Sequence, residues 1–152
     1  MRASDRLFTA AITLAALAGC GADHSIDAPA AFRRYHEADG LRLITADGVR
    51  VAAREVDNEP RADLPFWVDA MKRHLDERGY AFAREDCFTT TAGWKGCTLD
   101  FVLPYGAEDW IMSETVFVVG DKLVLVEATG PYERFAAVEA EYKQSLRTLR
   151  RK

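Results

Sequence analysis

The residues best suited to acid–base chemistry in this chain are carboxylates. Glu114 and Glu127 each interrupt a hydrophobic run, while Glu85-Asp86 and Glu108-Asp109 stand as adjacent pairs. Two carboxyl groups flanking a cleft could act as general acid and base on a glycosidic bond. Neighbours on a strand point to opposite faces and neighbours in a turn face water, so both adjacent pairs read as solvated. Glu114 and Glu127 are expected on the outer face of their strands; turned inward, they would need a partner such as Arg84, or a pocket. His24, His36 and His74 are the only histidines. The first lies in a polar segment and the second near the end of a short expected helix, where neither is preorganised. His74 reads as a boundary residue of a longer helix, its other reading being a general base or metal ligand. Ser25, Ser113 and Ser145 have no Gly-x-Ser-x-Gly elbow and no evident histidine partner. Phosphate-cradling glycine loops, EF-hand spacings and zinc-finger spacings are absent from the sequence. The residues thus point to no catalytic set, no metal and no cofactor, and a carboxylate-dependent hydrolase is the weakest of the functional readings.

The N-terminus carries an address instead. Arg2 and Arg6 precede an uncharged, largely apolar run over 7–22 that ends in small residues, the plan of an export signal. The run is shorter than the roughly 20 apolar residues that cross a bilayer. Its close, Leu17-Ala18-Gly19-Cys20, resembles the lipobox of bacterial lipoproteins, in which the chain is cut before a cysteine that carries diacylglycerol. The resemblance implies a signal peptide over 1–19, lipid attachment at Cys20 and a tether over 20–27. Two or three acyl chains, at roughly 0.8 kcal/mol per buried methylene, make a durable anchor. Gly21, where an aspartate would favour inner-membrane retention in enteric bacteria, leans the expectation toward the outer membrane. An ordinary signal peptide with an incidental cysteine is the alternative.

The chain has 152 residues and a formal net charge of −4; loss of 1–19, with two arginines and one aspartate, would make it one unit more negative. The remainder is enough for one domain with a real core, expected over 28–152. Its acidity argues against nucleic acid, which needs clustered cations to displace counterions. The basic cluster Arg147, Arg150, Arg151 and Lys152 reads as cations favourably placed at a helix C-terminus. With Cys20 lipidated, Cys87 and Cys97 remain as an even pair in an exported protein, so a disulfide is expected, free thiols being the other arrangement.

The periodicities define the elements that would carry these groups. Asp27, Pro29 and Gly40 suggest a short helix over 28–38. Alternation about Asp47-Gly48 suggests a hairpin over 41–54. Asp63 and Pro65 open a helix over 63–78 that Gly79 ends. Strands follow over 80–87, 96–103, 110–119 and 122–129, separated by turn residues. Cys87 and Cys97 are equidistant from Ala92, so a hairpin centred there sets them opposite each other. A helical stripe of Phe135, Val138, Tyr142, Leu146 and Leu149 closes the chain.

The expected order, α-β-β-α-β-β-β-β-α, is an α+β fold with helices on an antiparallel sheet. This order resembles the Mog1, PsbP and DcrB-like proteins over about 41–149. The frequent aromatic-Pro-x-x-Trp segment of that family is replaced here by Leu43-Ile44-Thr45-Ala46-Asp47-Gly48. The resemblance implies a bias toward protein binding and carries no functional residue across. Trp94 and Lys95 near the tip of the cysteine-bearing hairpin, with Tyr105 and Trp110 around the next turn, are the candidate partner contacts, because aromatic side chains dominate interface hot spots. Their other reading is that the rings fold back over the sheet edge. The functional expectation is a membrane-anchored, non-enzymatic envelope lipoprotein with a protein partner; the alternative is a small apolar or lipid-like ligand.

Overall fold

A computed structural model describes residues 23–35 and 40–152. The expected lipobox with Cys20, the expected signal segment and His36 lie outside the described residues. Seven strands form one antiparallel sheet in the order β2-β3-β4-β8-β7-β6-β5. These are β2 (Phe32–Arg34), β3 (Arg42–Thr45), β4 (Arg50–Asp57), β5 (Ala81–Thr89), β6 (Lys95–Tyr105), β7 (Glu108–Val119) and β8 (Lys122–Pro131). Helix α1 (Leu64–Asp76) leaves β4 and lies on one face of the sheet against β5, β6 and β7. Helix α2 (Tyr132–Leu146) follows β8 and lies on the other face against β7 and β8. Two short strands, β1 (His24–Ser25) and β9 (Arg150–Arg151), pair with each other beyond the main sheet. The α+β architecture expected from the sequence is the one observed.

Each helix closes its own core. On the α2 side, Phe135, Tyr142, Leu146 and Leu149 pack with Leu43, Val51, Phe117, Val124 and Val126. On the α1 side, Val68 and Leu75 pack with Cys97, Leu99, Phe101 and Val116. Strands buried on both faces must alternate between these cores, which is why β6 and β7 leave few positions to water. Helix α1 begins where its sequence signals place it: Asp63 accepts a hydrogen bond from the Phe66 amide at 3.1 Å and Pro65 occupies the first turn. Gly79, at φ +83°, ends it. Cys87 and Cys97 are directly opposed in the β5–β6 register and form a disulfide with Cα atoms 4.0 Å apart.

Three expectations are corrected. Over 28–35 there is no helix; β2 pairs with β3, and the carbonyl of Pro29 accepts from the Phe32 amide at 3.0 Å in a turn. Pairing puts Phe32 into the α2-side core beside Tyr142, and that burial overrides weak capping signals. Within the expected tether, His24, Ser25 and Ile26 are buried; the Asp27 carbonyl accepts from the Ser145 hydroxyl of α2, and its amide donates to the Thr148 hydroxyl just beyond that helix. Of the C-terminal cations only Arg147, the C-cap residue of α2, stands at a helix end, and its side chain reaches Asp86. Arg150, Arg151 and Lys152 reach Asp27, Glu55 and Asp23 across the β1–β9 pair.

Candidate functional site

Glu114 and Glu127 lie opposite each other in the β7–β8 register and share the α1 face of the sheet. That face is not uniformly outer. Helix α1 covers β5 to β7, so its margin runs beside Glu114, which is 5% exposed. A cleft of about 280 Å³ opens there between Trp67, Met71 and His74 of α1 and Leu123, Leu125 and Arg54 of the strands, with Glu114 also in its wall. The expected solvated position therefore fails for Glu114. The inward partner is also different: Arg54, on the next strand but one, stands 3.9 Å away, whereas Arg84 serves the other face. Burial, and then the charge of Glu127, push the Glu114 carboxyl up to about 7; Arg54, itself largely exposed, only partly opposes them.

A pair of carboxyls with one raised to neutrality can divide acid and base roles. Glycoside chemistry, however, needs its two groups on opposing sides of the scissile bond, and Glu114 and Glu127 project side by side from one sheet. His74 lines the cleft but is exposed, and it makes no hydrogen bond to a serine among the described residues. Ser113 points to the opposite face, where it donates to Asp100 at 2.6 Å.

Asp100 is a second buried carboxylate that the sequence did not single out. It is 2% exposed and accepts from Lys143 Nζ at 2.7 Å and from Arg84 Nη2 at 2.8 Å, besides Ser113. Burial would raise its pKa, but these three partners outweigh burial and hold it below the usual carboxylate range. Glu139 of α2 bonds to both Arg84 and Lys143, so the cluster joins α2 to β5 and β6. Its lone pairs are occupied, which makes it a structural clamp. The available signal was a carboxylate between Thr98 and Val102 on a strand whose other face is also apolar.

Beyond α1 the same face of β2, β3, β4 and β8 lies open. Arg33 is opposite Ile44, Ile44 opposite Arg50, and Arg42 opposite Ala52, so these side chains share that face with Arg54. A depression of about 510 Å³ is bounded by Tyr35, Arg42, Arg50, Ala52, Glu127 and Thr129. Tyr35 and Val56 are 46% and 40% exposed. This surface was visible in the sequence only as the wet side of a hairpin.

The expected contact aromatics divide. Trp94 packs edge-on against His24 and Phe117, at 6.0 and 6.3 Å between centroids, and so folds back on the core. Lys95 next to it is exposed. Tyr105 is 65% exposed and stacks edge-on against Trp110 at 5.3 Å.

No family model and no curated protein matches the chain. Solved structures do. LpqN, involved in cell envelope biogenesis of Mycobacterium tuberculosis, superposes with a TM-score of 0.65 at 10% identity, covering 87% of this chain and 86% of its own. Cyanobacterial PsbP from Synechocystis sp. PCC 6803 gives 0.53 at 10% identity, covering 92% and 98%. The fold is the Mog1/PsbP-like one. Protein PA94 of Pseudomonas aeruginosa, of unknown function, shares this Mog1/PsbP-like arrangement with a TM-score of 0.62 at 13% identity, covering 86% and 98%. At such identities the likeness concerns the fold alone. No helix among the described residues is long and apolar enough to cross a membrane.

Proposed function

We propose that this chain is a non-enzymatic accessory protein of the bacterial cell envelope, anchored by lipid on Cys20, that binds a protein partner on the open face of its sheet. The observation that carries this reading is the half-covered sheet: α1 shields β5 to β7 and leaves Tyr35, Arg42, Arg50 and Val56 exposed on the same face. The likeness to LpqN, whose own role is in envelope biogenesis, supports the envelope address. The chain enters the domain on the α2 side, where Ile26 joins that core and Asp27 is bonded beside the end of α2. Two residues, Gly21 and Ala22, lie between Cys20 and Asp23, and the three steps they make reach about 11 Å at most. An anchor at Cys20 thus holds the α2 side toward the membrane and turns the open face away.

The test is site-specific photo-crosslinking in cells, with the crosslinker at Ile44 on the open face or at Glu141 on the exposed side of α2. A discrete partner captured from position 44 and not from 141 is expected. Recovery of the protein alone from both positions, across growth conditions, would remove the proposal. A Cys20→Ser variant should leave the membrane fraction and lose incorporation of labelled fatty acid.

The second reading, a small apolar ligand, is favoured by one feature, the cleft in which Trp67, Met71, Leu123 and Leu125 surround Glu114. Native mass spectrometry of the protein extracted under mild conditions should then show a bound small molecule that Met71→Trp displaces.

A further inference from the structure

We propose that the open face binds an acidic, extended segment of the partner, gripped by Arg42 and Arg50 and flanked by Arg33 and Arg54. This rests on the reading of that face as a protein-binding surface and adds the chemistry of what lies on it.

Four arginines from three adjacent strands converge on one uncovered face of a chain whose net charge is −4. Away from this face, Lys72, Arg84, Lys122, Lys143, Arg147, Arg150, Arg151 and Lys152 each pair with a carboxylate, while the other described cations that do not, such as Arg61, Arg73, Arg78 and Lys95, lie off this patch. Arg42 and Arg50 enter no ion pair among the described residues, although Glu127 borders the same depression. Arg33 is partly committed, donating to the carbonyls of Ala30 and Phe32, and Arg54 stands 3.9 Å from Glu114. Within the patch the uncommitted charge is that of Arg42 and Arg50, at its centre.

The spacing suits a strand-like ligand. Rows on one face of a strand repeat every two residues, about 7 Å, and neighbouring strands are about 4.8 Å apart. Arg42 and Arg50 sit one strand and one row apart, a diagonal of about 8 Å. Carboxylates on alternate residues of an extended peptide repeat at about 7 Å and can meet both guanidinium groups. Tyr35, Ile44 and Ala52 supply apolar contact between them. Glu114 and Glu127 lie on the β8 side and would repel the same segment, which confines it to β2, β3 and β4. An anionic membrane is disfavoured as the occupant because the described N-terminal segment lies on the opposite side of the sheet.

The experiment uses the full chain in zwitterionic detergent and a fluorescent dodecapeptide of alternating glutamate and serine, read by anisotropy. Gln-Ser and Lys-Ser dodecapeptides and phosphatidylglycerol vesicles are the comparison probes. Saturable binding of the glutamate peptide that weakens steeply with salt is expected. Combined Arg42→Gln and Arg50→Gln replacement should weaken it about tenfold, the scale of two partly exposed charge contacts. Replacement of both by lysine should recover most of the loss, and Lys152→Gln should change nothing. Circular dichroism confirms that each variant is folded. Binding equal for the glutamate and glutamine peptides, or indifferent to both arginines, overturns the proposal. So does arginine-dependent binding to vesicles without binding to the peptide, which would make the face a membrane surface. If the peptide fails while crosslinking at Ile44 still captures a partner, the acidic class is wrong and the protein-binding face stands. If both fail, both readings fall.

Discussion

Asp100 and Glu114 are both carboxylates buried within one sheet, on adjacent strands and opposite faces, yet their surroundings drive them in opposite directions. Asp100 has two cations and a hydroxyl within 2.8 Å, and it is held ionised. Glu114 has one distant guanidinium and a second carboxylate across the register, and it is pushed up to about 7. Burial alone decides nothing about the charge of a carboxyl group; what decides is whether donors are close enough to replace the water removed. The first group is glue between α2 and the strands. The second is poorly satisfied and lines a cleft.

The two sites should respond oppositely to change. Asp100→Ala removes the anion that Lys143 and Arg84 share and leaves Lys143 largely buried without its closest partner. It should cost about 3 kcal/mol in urea unfolding at neutral pH, at the lower end for a broken buried pair because Arg84 is half exposed. Little change would show that Glu139 alone holds the clamp. Glu114→Gln should instead stabilise the protein at pH 8. Its pKa, 4.5 ordinarily and about 7 when folded, means that the folded state resists losing the proton. The stabilising contribution is whole below pH 4.5, is lost progressively as pH rises to 7, and does not change further above it. That loss is about 3 kcal/mol, so the glutamine variant, with about 1 kcal/mol charged against its buried amide, should gain about 2 kcal/mol at pH 8.

For Asp100 the sign reverses. Its folded pKa lies below the ordinary 3.8, so its contribution is present above that value and is lost as pH falls through the lowered one. Wild-type unfolding followed at pH 2 to 9 should show both slopes, with Asp100→Asn flattening the acid limb and Glu114→Gln the limb between 4.5 and 7. Smaller effects sharpen the origin of the Glu114 shift. Glu127→Gln should lower the Glu114 pKa, and Arg54→Gln should raise it further, each readable by carboxyl-carbon NMR titration. The Arg54 effect should be the smaller, since that side chain is 65% exposed and screened by water.

Much of the frame was legible in local signals. Asp63, Pro65 and Gly79 mark α1, Asp47-Gly48 marks the β3–β4 hairpin, and the symmetry of Cys87 and Cys97 about Ala92 anticipates their pairing. These signals act over a few residues, through capping, turn geometry and alternation. The segment 28–35 was misread because Asp27 and Pro29 imitate a helix start, while the partner that makes β2 a strand lies beyond Gly40. The candidate site was legible only in part. Glu114 and Glu127 stand out as charges inside apolar runs, but which face α1 would cover is a matter of packing.

By itself, then, the sequence determined the α+β fold class, the start of α1, the hairpins and the cysteine register, because each depends on neighbours along the chain. Tertiary structure decided that α1 covers only half of its face, that Asp100 is satisfied and Glu114 is not, and that Arg42 and Arg50 share an open surface. The order β2-β3-β4-β8-β7-β6-β5 brings residues more than 70 positions apart into register, and electrostatic environment follows distance in space.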